Sequence, residues 1–160
     1  MFDRRSYRRN LPHFQNANRI YLVTFVTLDR WTLPAIARDV VLQEIANIHD
    51  CLAFVSAGTV MPDHVHLVMQ PLWDSSGVTF ALPEILKNLK GRSARFINLA
   101  LQRSGTVWFD ENHDHQIRSN ESLLQKIDYV LENPVRRGLA NTPDEYRWTW
   151  RWWVEGAGTG

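Results

Sequence analysis

The 160-residue chain holds one cysteine, Cys51, so it can form no internal disulfide and no metal cluster built on several thiolates. It lacks any apolar run near the ~20 residues that a membrane-spanning helix needs. Its start, MFDRRSYRRN, is charged where a secretory leader would be apolar. No G-x-x-x-x-G-K-[ST] loop occurs, which speaks against chemistry driven by a nucleoside triphosphate. Repeats, low-complexity stretches and linkers are missing as well. The expectation is a single domain over residues 1–160 in a reducing cytoplasm, with no membrane partner and one core of the size this length supports.

A formal net charge of +1 does not mark a nucleic-acid binder by its sum, but the charges are clustered. Arg4, Arg5, Arg8 and Arg9 crowd a basic arm over residues 1–18. Lys87, Lys90, Arg92, Arg95 and Arg103 fall in a stretch with no acid after Glu84, and Asp110, Glu111 and Asp114 follow together. Solvated helix faces would account for each cluster singly. Two basic clusters beside seven tryptophans favour a polyanion with stackable bases. Trp148, Trp150, Trp152 and Trp153 lie in a tail over residues 145–160, where they either stack bases or cover a sheet or helix.

RIYLVTFVT is β-branched and aromatic and reads as a first strand. Pro34 then opens a helix, AIARDVVLQEIANIHD, with Ile36, Val40, Val41, Ile45 and Ile48 at helical spacing. LAFVSAGTVMPDHVHLVMQ reads as two strands joined by a tight turn at Pro62-Asp63. Helical periodicity returns through Ile85, Leu86, Leu89, Phe96 and Leu99, with Gly91 a weak point and Gly105 a stop. TVWF, with HDHQIR as its continuation, supplies a fourth strand, and a last helix starts near Ser122. The fold class expected is α+β: a ferredoxin-like or RRM-like βαββαβ antiparallel sheet with an added C-terminal helix.

Strand side chains alternate, so His64 and His66 share one sheet face with Val68, while Val65, Leu67 and Met69 share the other. Two imidazoles on one face either coordinate a divalent cation, given a third ligand, or form part of a polar face. In the last helix Leu123, Leu124, Ile127, Val130 and Leu131 make one apolar stripe, which leaves Tyr129 on the polar side. A structural tyrosine would be buried beside the stripe. Asn133 follows one turn later and can face the same region as the Tyr129 hydroxyl; standing before Pro134, it also reads as the cap of a short new helix in NPVRRG.

These features together resemble the single-tyrosine HUH transposases and, within them, the REP-associated tyrosine transposases. The resemblance is carried by PDHVH, VWFDENHDHQIR, DYVLENPVRRGL and PDEYRWT, and extends from RIYLVTF to the tryptophan-rich tail. It implies a single HUH transposase domain that nicks and transfers strands of single-stranded or hairpin DNA, as a monomer or a homodimer. Carried over by residue, His64 and His66 match the HUH pair, Tyr129 the nucleophile and Asn133 the third metal ligand, with Mg²⁺ or Mn²⁺ as cofactor. Asparagine rather than glutamine at that third position, with NPVRRGL, favours the REP-associated branch. Asn112 and His113 stand where relatives often carry aromatic residues.

The resemblance further implies a 5′-phosphotyrosine intermediate and a free 3′-hydroxyl, which keeps the bond energy for rejoining and needs no ATP. Lys87, Lys90, Arg92 and Arg95, with the N-terminal arginines, would neutralise phosphates. Two other readings fit part of the pattern. An RRM-like module would bind single-stranded nucleic acid without chemistry. A histidine-triad nucleotide hydrolase also alternates histidines on a strand, but Val68 occupies its third position here.

Overall fold

The computed structural model describes residues 19–152; Arg4, Arg5, Arg8, Arg9 and Trp153 lie outside the described residues. The elements run β1 (Ile20–Thr27), α1 (Ala35–Ile48), β2 (Ala53–Val60), β3 (His64–Pro71), α2 (Leu82–Leu101), β4 (Trp108–Ile117), α3 (Asn120–Arg136) and β5 (Thr149–Arg151). One sheet of five strands is ordered β4-β1-β3-β2-β5, and every neighbouring pair is antiparallel. The first four strands with α1 and α2 form the split βαβ arrangement expected for βαββαβ.

The two faces of the sheet bury different layers. Val23, Phe25, Val55, Val65, Leu67 and Met69 pack under α1 and α2. Ala57, Val68, Ile20 and Ile117 pack under Leu123, Ile127, Val130 and Leu131 of α3. Strand β3, at the centre, is buried along its whole length, so both sets of its alternating side chains are enclosed. β2 serves both layers through a bulge between Val55 and Ala57, which turns two residues of like parity to opposite faces. The β2–β3 hairpin turns over residues 61–63, where the Met61 amide donates to the His64 carbonyl. Leu33 N donates to the Pro62 carbonyl and Thr27 N to that of Asp63, which ties the turn to the end of β1.

The structure corrects several local expectations. A fifth strand exists: Trp150 is buried, and its indole N–H donates to the Val55 carbonyl, while Trp148 donates to Asp39 beneath the Arg38 guanidinium. These two tryptophans are packing residues. The last helix begins at Asn120, capped by the Ser119 hydroxyl, rather than near Ser122. α2 passes Gly91 without a break and ends where Gln102 turns left-handed (φ 51°), ahead of Gly105. Ile36 and Leu99 are 54% and 65% exposed, and Phe96 is exposed too. In α2 the buried stripe runs instead through Ile85, Leu86, Leu89, Ser93 and Ile97. The small Ser93 leaves room for the Trp108 indole, whose N–H donates to its Oγ at 2.9 Å.

Candidate active site

The β3 alternation turns His64 and His66 onto the α3 face, both buried, with ring centroids 4.8 Å apart. Each ring is held through Nδ1. His64 donates to Asp63 Oδ1 at 2.7 Å, and the other oxygen of that carboxylate accepts from Arg30 Nε at 3.0 Å. His66 Nδ1 lies 2.7 Å from Thr24 Oγ1, and Thr24 is its partner in the β1–β3 register. With the proton on Nδ1, Nε2 of each ring keeps its lone pair for a cation.

Burial pushes His66 down to about 4, with the charges of His64, Arg137 and Arg136 adding to it. His64 is lowered as well, again first by burial, although Asp63 opposes the shift. Burial alone would raise Asp63, but its hydrogen bonds to His64 and Arg30 outweigh that and hold the carboxyl below the usual range. Both imidazoles are therefore neutral at ordinary pH, the form that binds metals.

α3 brings the other half of the site. Tyr129 leaves the helix well away from its buried stripe, is 42% exposed, and sets its ring 5.5 Å from that of His66, edge to face. The expectation that Pro134 starts a new helix is overturned: α3 continues to Arg136, and Asn133 is an interior residue, not a cap. A proline in mid-helix leaves the carbonyl four residues back without its donor. That carbonyl, Val130 O, instead accepts from Thr59 Oγ1 of β2 at 2.9 Å. Thr59 is also the register partner of His66, so Thr24, His66 and Thr59 form one row across β1, β3 and β2. Gly138, at φ 73°, ends the helix.

Asn133 sits one turn past Tyr129 and is only 3% exposed, and its Oδ1 has no hydrogen-bond partner. A buried amide oxygen left unpaired costs about 1–3 kcal/mol. An orphaned oxygen donor on α3, with two neutral imidazoles on the strand beneath, suits a small divalent cation that accepts mixed nitrogen and oxygen ligands. His64, His66 and Asn133 are the residues that would hold it.

Other residues expected to act are elsewhere. Lys87, Lys90, Arg92 and Arg95 lie on α2, in the layer on the far face of the sheet. Lys90 Nζ donates to the Phe109 carbonyl and Asn112 Oδ1, and Arg92 is paired with Glu44 at 2.9 Å. Lys87 and Arg95 are exposed. Thr24, Arg30, Thr59, Asp63, Arg136 and Arg137 were not legible as site residues, although the carboxylate next to His64 in PDHVH was a usable signal. The register also places His113 and His115 of β4 on the site's face, opposite Thr24 and Leu22, and both are exposed.

The fold and site define an α+β protein whose central strand presents a histidine pair to a tyrosine-bearing helix. No family model matches the chain. A curated relative from Haemophilus influenzae, a putative REP-associated tyrosine transposase, is 26% identical over 92 residues, or 54% of this chain and 52% of its own. The match thus spans about half the length of that relative. Among solved structures, a REP-associated tyrosine transposase bound to a REP hairpin superposes with a TM-score of 0.65 at 15% identity, covering 87% of this chain and 82% of its own. A putative transposase from Deinococcus radiodurans gives 0.49 at 23% identity, over 77% of this chain and 97% of its own. In fold, and in sequence over about half its length, the chain is similar to REP-associated tyrosine transposases. Among the described residues no helix is long and apolar enough to cross a membrane.

Proposed function

We propose that this protein cleaves and rejoins one strand of hairpin-forming DNA through Tyr129, as a transposase of the REP-associated type. The observation that carries the reading is the meeting of a displayed tyrosine with two buried, neutral, Nδ1-anchored histidines and an orphaned amide oxygen. A module that only bound nucleic acid would have no use for that set. The DNA class is taken from the similar transposase solved with a REP hairpin.

A divalent cation held by His64, His66 and Asn133 would withdraw charge from a non-bridging phosphate oxygen and fix its orientation. Tyr129 supplies the nucleophile: its oxygen bonds to phosphorus, the phosphorus–O3′ bond breaks, the phenol proton passes to water, and the departing 3′ oxygen takes a proton from water to become a hydroxyl. The enzyme keeps the 5′ end as a phosphotyrosine, and attack by another 3′-hydroxyl reverses the step. Asp63 and Thr24 keep the histidine rings oriented. Thr59 holds the tyrosine helix at its height above the strand. Phosphates of the stem or flanks beyond the site are assigned to the N-terminal arginines Arg4, Arg5, Arg8 and Arg9 and to Lys87 and Arg95. Lys90 and Arg92, engaged within the fold, serve there only secondarily.

The reading is tested with a library of single-stranded hairpin oligonucleotides of random stem and flank, incubated with Mn²⁺ and run under denaturing conditions. A protein–DNA adduct is expected from the wild type and none from Tyr129→Phe. An adduct that persists in the variant, or none from the wild type, overturns it.

A further inference from the structure

Arg136 follows Tyr129 by two helical turns, and its side chain folds back over it. Nη2 donates to the Tyr129 carbonyl at 2.6 Å, and the guanidinium carbon stands 4.6 Å from the centre of the phenol ring. One N–H is thereby used, and the group is held as an exposed plate beside the proposed nucleophile. Neither Arg136 nor its neighbour Arg137 forms a salt bridge within the described residues, yet the charge of Arg137 bears on both His64 and His66. Asp63, the carboxylate at the site, is already occupied by Arg30 and His64. Two guanidiniums with no ion pair among the described residues, beside the proposed cation site, repel one another and a bound metal unless an anion lies among them.

We propose that Arg136 is a catalytic residue whose remaining N–H groups hold a non-bridging oxygen of the scissile phosphodiester and, after attack, of the phosphotyrosine. The inference rests on the transposase reading and adds a phosphate-holding residue to it. Negative charge on the equatorial oxygens grows as the Tyr129 oxygen bonds to phosphorus and O3′ departs. A donor fixed in advance by the helix it grows from meets that charge without reorganisation. The planar fork suits phosphate better than a lysine would. The alternative is a purely structural role, in which Arg136, in the last turn of α3, only adds a hydrogen bond to a carbonyl two turns back in its own helix.

Replacing one non-bridging oxygen of the scissile phosphate by methyl separates the two roles, because a methylphosphonate carries no charge to neutralise. With a hairpin oligonucleotide recovered from the wild-type adduct of that library, Arg136→Ala and Arg136→Gln should slow adduct formation by about 10²-fold or more on phosphate. On the methylphosphonate they should match wild type within about threefold, and Arg136→Lys should recover part of the phosphate rate. The glutamine variant keeps a polar side chain without the charge, and the lysine variant keeps the charge without the planar fork. A second measurement does not depend on cleavage. In a Tyr129→Phe background, Arg136→Gln should lower the slope of log affinity against log salt by about 0.7 to 0.9. Equal losses on both substrates, wild-type rates on phosphate, or an unchanged salt slope overturn the assignment while leaving Tyr129 as nucleophile. A wild-type protein that forms no adduct removes the transposase reading itself, and this inference with it.

Discussion

Thr59 and Val130 are joined by a buried hydrogen bond, Oγ1 to carbonyl oxygen at 2.9 Å, that replaces the helical bond Pro134 cannot make. Because Thr59 pairs with His66 across β2 and β3, the bond ties the tyrosine helix to the level of the sheet at which the histidines stand.

Thr59→Val keeps the shape but leaves the Val130 carbonyl buried and unpaired. It should lower unfolding stability by about 1–3 kcal/mol in urea melts, and Thr59→Ser should be close to neutral. Adduct formation should slow in the valine variant even at temperatures where it is fully folded. A valine variant with wild-type stability and rate would show that Pro134 is accommodated without this bond.

The anchors of the two imidazoles differ, one a carboxylate and the other a hydroxyl. Mn²⁺ affinity, read by calorimetry on the DNA-free protein, should fall about tenfold or more in Asp63→Asn and less in Thr24→Val. His64→Ala or His66→Ala should abolish binding, and excess chelator should stop cleavage as those variants do. If both anchor variants bind Mn²⁺ like wild type, the anchors do not orient metal ligands.

Acid should destabilise the metal-free fold through His66. Its folded pKa lies near 4 against an ordinary value of 6.5, so between those pH values the unfolded chain carries a proton the folded chain refuses. Stability is complete above pH 6.5 and declines on acidification to about pH 4, by roughly 2–3 kcal/mol from this group, then levels off with respect to it. His64 acts in the same direction. Urea melts in chelator from pH 7 to 4 should show the decline in wild type and a shallower one in His66→Gln. Parallel curves for the two proteins would exclude His66 as the source.

Much of this protein follows from local pattern. Alternation in MPDHVHLVMQP places His64 and His66 together on one face whatever the sheet order, because the strand period is two. The apolar stripe of the last helix likewise leaves Tyr129 unburied. Four strands and three helices were readable from periodicity and punctuation. The three-residue β5 was hidden because what makes TWR a strand is the free edge of β2 beside it. Of the two readings of Asn133, the cap fails because Asn-Pro breaks a helix in isolation, whereas here Thr59, remote in sequence, supplies the missing bond. The basic run of α2 is a cluster in sequence, but in the fold Lys90 meets the Phe109 carbonyl of β4 and Arg92 meets Glu44. Thr24, Asp63 and Arg136 gain their places only from register, turn geometry and the fold-back of one side chain. Sequence determined which residues are candidates for the chemistry, since side-chain type and local period are properties of short segments. Tertiary structure decided which groups orient them, since hydrogen bonds between strands and across layers depend on pairings that no short segment contains.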